Sequence, residues 1–170
     1  MILRHRHTIR LPKHDYSSSK TYFITIGAYH HSQIFGEIIN DVFISNKISK
    51  IIEKNLYSLP QYYPCQIISS QVMPNHLHLI LKINKITTNK TTTLGQIIRY
   101  FKAKSTFEIR KQGIYFAQIF QRNYYEHIIR DEKDLTSCQK YIFLNPQKWS
   151  KDKENQLNIN CRGAIYCALK

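Results

Sequence analysis

Two strand-like runs, residues 65–72 and His76–Ile83, are separated by only three residues and constrain the fold of this chain most strongly. The separating letters, MPN, form a turn-type interruption, because proline and asparagine favour turns over regular structure. Side chains on a strand alternate between its two faces, so Leu77, Leu79 and Leu81 share one face and can enter the core. We therefore expect two strands joined by a turn, with one face of the second strand apolar.

The remaining strand-like and helical patterns alternate along the chain. A period-two pattern of aromatic and branched residues predicts a strand at residues 22–28, and an aromatic-rich stretch predicts another near residues 124–129. Apolar residues at helical spacing predict helices at residues 41–59, which Pro60 closes, and at residues 94–110. With a third helix further on, this order predicts an α+β domain with a mainly antiparallel sheet.

The third helix is predicted from its two ends. Asp131 is of the residue type that caps a helix N-terminus, and Asp134 would place a negative charge in the first turn. The helix should run to about Leu144, because Pro146 disfavours helical geometry at Asn145.

The chain has 170 residues, enough for one domain of ordinary size. Residues 1–20 are polar, basic and histidine-bearing, which predicts an N-terminal arm. Residues 84–93 are polar and of low complexity, which predicts a flexible loop. Residues 147–170 lack clear periodicity, and residues 150–170 are predicted to form a C-terminal tail. We therefore expect the folded domain at residues 21–149.

The charge of the chain indicates a polyanionic partner. Twenty-five Lys and Arg against eleven Asp and Glu give a net charge of +14. Nucleic acid is the first candidate and an anionic membrane surface the second, because basic side chains release the counterions condensed on phosphates. No apolar run approaches the length of a membrane span, and the basic N-terminus is not followed by the apolar region of a signal peptide. We therefore expect a cytoplasmic protein with reduced thiols.

His76 and His78 are the first candidate for chemistry. Residues i and i+2 of a strand point to the same face, so both imidazoles are presented together. Neutral imidazole suits divalent metals, although two histidines alone do not complete a site and often have a structural role. Histidine-triad hydrolases are disfavoured, because a third histidine would be needed where Ile80 stands, and no cysteine pair supplies a four-ligand zinc site.

Tyr141 and Asn145 are the second candidate. At spacing i and i+4 on the third helix, the phenol and the amide project from one face. A phenol with a pKa of about 10 is a poor nucleophile until a metal-bound phosphate is placed beside it. The Asn145 amide oxygen could complete a three-ligand site, whereas the alternative for Tyr141 is a half-buried packing role.

Three segments in order resemble a known family: VMPNHLHL at residues 72–79, YEHIIRDE at residues 125–132, and YIFLNP at residues 141–146. They are similar to the signature segments of the single-tyrosine HUH transposases of the insertion sequence 200/605 superfamily, which includes the REP-associated tyrosine transposases. The similarity spans most of residues 16–149 and fades beyond Trp149. Three motifs in the right order are far more specific than a His-x-His pattern alone.

The resemblance implies a fold and a chemistry. It implies a ferredoxin/RRM-like HUH domain, with an antiparallel sheet and helices packed on it. Tyr141 would attack a DNA phosphodiester and form a 5′-phosphotyrosine link, while His76, His78 and Asn145 would hold Mg²⁺ or Mn²⁺. The substrate would be single-stranded DNA with hairpins in a bacterial, nucleoid-associated setting, and the protein would act as a monomer or a homodimer.

Basic residues near the predicted site are candidates for DNA contact. We predict this role for seven side chains: Arg99, Lys102, Lys104, Arg110, Arg122, His127 and Arg130. The alternative for His127 is a residue that supports the site without touching DNA. The alternative for the basic helix is a solvated face without a partner. The alternative functions are a catalytically retired relative that binds hairpin DNA or RNA as a regulator, and a metal-dependent nuclease that uses water and leaves no protein–DNA bond.

Overall fold

A computed structural model describes residues 19–84 and 92–149. The predicted arm, apart from its last two residues, and the predicted tail both lie outside the described residues, as does most of the predicted loop at residues 84–93. The domain limits of 21–149 therefore stay a prediction. No helix within the two described ranges is long and apolar enough to cross a membrane.

The described residues form six strands and three α-helices. In chain order they are β1 (Thr21–Gly27), β2 (Gly36–Ile39), β3 (Val42–Ser45), α1 (Lys47–Tyr57), β4 (Cys65–Met73), β5 (His76–Ile83), α2 (Leu94–Lys111), β6 (Tyr125–Ile129) and α3 (Glu132–Lys148). Four strands form an antiparallel sheet in the order β4-β5-β1-β6, and β2 pairs with β3 separately. The predicted α+β fold with a mainly antiparallel sheet is confirmed.

The sheet separates two apolar clusters of different size. On one face Leu77, Leu79 and Leu81 of β5 are fully buried in the main core, together with apolar side chains of α1 and α2. On the other face a smaller cluster packs against α3, and its buried members are Phe23, Ile80, Ile129, Cys138 and Ile142. Because side chains alternate along β5, this strand contributes residues to the apolar clusters on both faces of the sheet.

The helix predicted at residues 41–59 is wrong in its first part. Asn40 and Asp41 have φ values of 50° and 64° and form a two-residue turn between β2 and β3. Asparagine and aspartate tolerate this left-handed conformation, and the turn chemistry outweighed the apolar spacing that suggested a helix. The helix begins at Lys47, after Asn46, whose side chain accepts hydrogen bonds from the Ile48 and Ser49 amides at 2.9 and 3.0 Å.

The predicted start of α3 agrees with the structure, and its predicted end is wrong. Asp131 caps the helix by accepting a hydrogen bond from the Asp134 amide at 2.9 Å. The helix continues through Pro146 to Lys148. Proline near a helix end forfeits a single hydrogen bond, and the burial of Asn145 and Trp149 favours continued helical geometry.

Candidate active site

His76 and His78 lie side by side on the face of β5 that α3 covers. Their rings are 1% and 3% exposed, and the two Nε2 atoms are 2.8 Å apart. The ring planes are nearly perpendicular, at 71° with centroids 4.4 Å apart. The Nε2 atom of each ring therefore faces the Nε2 atom of the other.

The outer nitrogen of each ring is held by a polar side chain. The Asn75 Oδ1 atom can only accept, so His76 Nδ1, at 2.7 Å, must donate its hydrogen. His76 Nε2 then carries a lone pair and accepts from His78 Nε2, which leaves His78 Nδ1 to accept from the Thr25 hydroxyl at 2.9 Å. A hydroxyl can also accept, so Thr25 is compatible with either tautomer of His78.

Both imidazoles are neutral at neutral pH. Burial lowers the pKa of His78 to about 3. Burial also lowers the pKa of His76 well below its usual value, and the neighbouring His78 and His31 lower it further. A neutral imidazole offers a lone pair to a metal ion, whereas a protonated one does not.

Helix α3 places one aromatic ring beside each histidine. The Tyr141 ring lies edge-on to His78 with centroids 5.2 Å apart, and the Trp149 ring lies 6.0 Å from His76. Asn145 stands one turn after Tyr141 and one turn before Trp149, so helical periodicity puts it on the same face between them. The structure thus brings Tyr141 beside the histidine pair and places Asn145 one turn further along the same face of the helix.

Asn145 is the most informative of these residues for a possible ligand. Its side chain is 2% exposed, and neither amide atom has a hydrogen-bond partner within the described part of the chain. A buried amide without a partner costs about 1–3 kcal/mol, so such a group points to something that pairs with it. Two neutral imidazoles and an amide oxygen are a donor set that suits a divalent cation.

Sequence reasoning did not single out Thr25, Asn75 or Trp149. Thr25 could not be identified from the sequence alone, because it stands opposite His78 only through the pairing of β1 with β5. Asn75 directly precedes the His-x-His pair, and its place in a turn hid its contact with His76. Trp149 was missed because the helix was expected to end before it.

A second pair of side chains lies near the His76 end of the site. Gln121 Nε2 and His31 Nε2 are 3.0 Å apart. Gly27 stands opposite His76, and a Cβ atom there would come within 2.8 Å of the Gln121 side chain. The glycine therefore leaves room for Gln121 on this side of the sheet.

Among the predicted DNA contacts, Lys102 is engaged within the protein. Its Nζ donates to the carbonyl oxygens of Gln121 at 2.8 Å and Asn123 at 2.9 Å. Burial lowers the pKa of Lys102 to about 8. This lysine therefore holds the segment before β6 against α2.

The other side chains predicted to contact DNA differ in how many contacts they make within the protein. Lys104 donates to Ser58 Oγ at 3.1 Å and lies 4.5 Å from the centre of the Tyr62 ring. Arg110 makes long contacts of 3.4 Å to two carbonyl oxygens of the following loop. Three further side chains are exposed: Arg99, Arg122 and Arg130. The four predicted contacts on α2 lie in the layer across the sheet from the histidine pair.

His127 of β6 contacts α3 rather than standing free. Its Nε2 lies 2.9 and 3.1 Å from the two carboxylate oxygens of Asp134, and the Cys138 thiol donates to the same carboxylate at 3.7 Å. The three side chains could in principle gather around a metal ion. Burial, with the Asp134 charge, raises the pKa of Cys138 to about 12, so without an ion the thiol keeps its proton and donates it to the carboxylate.

Comparison with known sequences identifies the family that this chain matches. The sequence profile of the family described as Transposase IS200 like matches residues 20–145. An uncharacterized protein of Haemophilus influenzae is 36% identical over 169 residues, which cover 89% of this chain and 93% of that protein. A putative REP-associated tyrosine transposase of the same organism is 30% identical over 93 residues, which cover 52% of this chain and 53% of that protein.

Comparison with solved structures agrees on the fold. The structure of a REP-associated tyrosine transposase bound to a REP hairpin superposes with a TM-score of 0.62 and 21% sequence identity. The match covers 85% of this chain and 76% of that one. The antiparallel sheet with its three helices is therefore the arrangement found in that protein.

Proposed function

The chain belongs to the IS200-like transposase family of DNA-cleaving enzymes, and from this premise we propose that it cuts and rejoins single-stranded DNA through Tyr141. One observation carries the proposal: the Tyr141 ring lies 5.2 Å from His78, whose Nε2 converges with that of His76. A phenol beside two neutral imidazoles that can hold a metal ion is an arrangement that supports tyrosine-based phosphoryl transfer.

In the proposed reaction the Tyr141 oxygen attacks the phosphorus of a DNA phosphodiester. An oxygen–phosphorus bond forms, the bond from phosphorus to the 3′-oxygen breaks, and the phenol proton is lost as the 3′-oxygen gains one. The products are a 5′-phosphotyrosine link and a free 3′-hydroxyl. Attack of a 3′-hydroxyl on this link restores Tyr141 and a phosphodiester, so strands are exchanged without ATP.

The residues proposed to hold the metal ion are His76, His78 and Asn145. Their donor atoms fit Mg²⁺ or Mn²⁺, and imidazole nitrogen favours Mn²⁺ of the two. When bound, such an ion polarises the phosphate and stabilises the negative charge on its oxygens. Thr25 and Asn75 keep the two rings oriented through their outer nitrogens.

The proposed substrate is single-stranded DNA that carries a hairpin. The similar solved protein is bound to a REP hairpin, and the +14 net charge of this chain suits a polyanion. The exposed arginines, Arg99, Arg122 and Arg130, are the predicted contacts that remain available to DNA phosphates. The protein would carry out this reaction as a monomer or a homodimer.

The experiment that tests the proposal is a search for a covalent protein–DNA adduct. The protein is incubated with Mn²⁺ or Mg²⁺ and a pool of hairpin-bearing single-stranded oligonucleotides, then run on a denaturing gel. We expect an adduct that needs metal and is absent in Tyr141→Phe and His76→Ala. Tyr115→Phe is the matched control, because Tyr115 is 79% exposed and lies outside the site.

Each other outcome contradicts the proposal in a different way. DNA cleavage without an adduct would indicate a nuclease that uses water. Binding of a hairpin without cleavage would indicate a catalytically retired regulator. An adduct that persists in Tyr141→Phe would show that another side chain is the nucleophile.

A further inference from the structure

The helix that carries Tyr141 has a small apolar attachment to the sheet. Two of its side chains, Cys138 and Ile142, are buried in the cluster on this face, with Leu135 and Tyr141 partly buried beside them. A helix held by so few apolar contacts is free to rotate or shift unless polar contacts fix it. The placement of Tyr141 against His78 therefore depends on what else holds α3.

A polar contact between α3 and the sheet lies at the first turn of the helix. His127 projects from β6, and its Nε2 donates to both oxygens of the Asp134 carboxylate at 2.9 and 3.1 Å. Both side chains are about one quarter exposed, at 26% and 22%. A charged, partly shielded hydrogen bond of this length is stronger than a neutral one.

The same carboxylate also fixes the short connection between β6 and α3. Only Arg130 and Asp131 separate the two elements. The Arg130 amide donates to Asp134 Oδ2 at 3.1 Å, and the Asp134 amide donates to the Asp131 side chain at 2.9 Å. One carboxylate thus joins the strand, the connection and the helix.

Helical spacing relates this contact directly to the candidate active site. Asp134, Cys138, Tyr141 and Asn145 follow one another at intervals of four, three and four residues and form one stripe along α3. Cys138 connects the stripe to the carboxylate through its thiol hydrogen bond of 3.7 Å. A constraint on Asp134 therefore sets the rotation of the whole stripe about the helix axis.

We propose that His127 and Asp134 are positioning residues that clamp α3 at the rotation and height at which Tyr141 meets the histidine pair. The role of Tyr141 as nucleophile rests on the proposed function, whereas the clamp itself concerns only where the Tyr141 ring lies. The sequence predicted His127 either as a DNA contact or as a residue that supports the site, and its engagement by Asp134 favours the second role.

The ionisation of Asp134 agrees with a clamp. Burial raises the pKa of Asp134, but hydrogen bonds from His127 and the Arg130 amide, together with the Cys138 thiol, outweigh it and lower the pKa overall. The carboxylate is therefore charged at neutral pH and accepts from all three donors.

The test uses His127→Ala and Asp134→Asn, together with the exchanged pair His127→Asp/Asp134→His. Glu132→Gln is the matched control, because it removes an exposed charge from the same first turn without touching His127. The first readout is the ¹⁹F spectrum of protein labelled with 3-fluorotyrosine. The Tyr141 resonance is assigned among the twelve tyrosines by its loss in Tyr141→Phe.

We expect the Tyr141 resonance to move in both single variants and to keep its position in Glu132→Gln. The movement follows because the ring leaves the neighbourhood of the His78 and Phe23 rings. The exchanged pair should return the resonance toward its original position, which a general loss of stability would not do. An unmoved resonance in both single variants would overturn the proposal.

The second readout separates binding from chemistry. For an oligonucleotide that forms the adduct with the unaltered protein, we expect the single-turnover rate to fall at least about 10-fold in the single variants, because small displacements of reacting groups are costly. The binding constant for the same oligonucleotide should change less than about two-fold. Equal losses in binding and rate would indicate a DNA contact and overturn the clamp.

The two proposals fail separately. If the unaltered protein forms no adduct, the proposed function fails, and the ¹⁹F measurement still decides whether the clamp exists. If His127→Ala does not fold, Asp134→Asn replaces it, because the amide keeps the shape of the carboxylate while it removes the charge and one of the two acceptor oxygens.

Discussion

The two faces of the central sheet carry different kinds of side chain, although β5 contributes to both. Toward α1 and α2, Leu77, Leu79 and Leu81 are fully buried in a continuous apolar core. Toward α3, the same strand presents His76 and His78, which are equally buried but polar. Burial alone therefore does not distinguish the structural face from the reactive face.

The difference lies in what burial does on each side. Burial of each leucine stabilises the fold by about 1.5–3 kcal/mol. Burial of the imidazoles and of the Asn145 amide removes polar groups from water, which opposes folding unless partners are supplied. The layer between the sheet and helices α1 and α2 therefore stabilises the fold. The layer between the sheet and α3 holds neutral, oriented donor groups whose burial reduces stability. Three predictions test this separation, beginning with the largest effect.

Leu79→Ala and His78→Ala, one position apart on β5, should differ most clearly. Leu79→Ala should lower the free energy of unfolding by about 3 kcal/mol, because it opens a cavity in the main core. His78→Ala should lower it by about 1 kcal/mol, since the cavity is partly offset by the loss of a desolvated polar ring. Urea unfolding measures both values. Equal losses would show that the histidine face is part of the stabilising core.

The buried histidines should make stability depend on pH. An unfolded histidine has a pKa of about 6.5, whereas His78 has a pKa of about 3 in the folded protein. As the pH falls, the unfolded state takes up protons first, so stability decreases below about pH 6.5. Between pH 7 and pH 5 the His78 contribution alone should cost about 2 kcal/mol.

Urea unfolding of the unaltered protein and of His78→Gln at the two pH values measures this contribution. The variant should lose less stability on acidification. His30→Asn is the matched control, because His30 is exposed and has a φ of 52°, which asparagine tolerates. A pH dependence that is the same in His78→Gln as in the unaltered protein would contradict a neutral, buried His78.

Lys102→Ala and Arg99→Ala should separate structural from DNA-binding charges on α2. Loss of the Lys102 hydrogen bonds to Gln121 and Asn123 should cost about 1 kcal/mol of stability and leave the salt dependence of DNA binding unchanged. Arg99→Ala should leave stability unchanged and reduce the slope of log affinity against log salt concentration by about 1. Salt titration measures the slope, and urea unfolding measures the stability. A reduced slope in Lys102→Ala would show that Lys102 contacts DNA.

The sequence predicted those elements whose own residues determine them. β5 was predicted at its observed limits, because the alternation of leucine and histidine records its two environments directly. The start of α3 was also predicted, since Asp131 caps the helix with its own side chain. The candidate site followed because His76 and His78 are close in sequence as well as in space.

Other features depend on contacts between distant segments, which a single sequence does not display. β2 and β3 were not predicted, because the turn at Asn40 and Asp41 lies within residues whose apolar spacing also fits a helix. The engagement of Lys102 by Gln121 and of His127 by Asp134 requires the folded arrangement. Charge alone had assigned Lys102 to DNA, and the sequence left His127 between a DNA contact and a residue that supports the site.

The hydroxyl of Thr25 can pair with either tautomer of the His78 ring. With His78 Nε2 donating to His76, Thr25 donates to His78 Nδ1. For both Nε2 lone pairs to face a single cation, the His78 proton must move to Nδ1, and Thr25 must then accept. In that exchange Nε2 releases its proton and Nδ1 takes one up, and rotation of the Thr25 hydroxyl about its carbon–oxygen bond then lets the hydroxyl accept from Nδ1. Thr25 therefore accommodates either tautomer of His78 without a movement of strand β1.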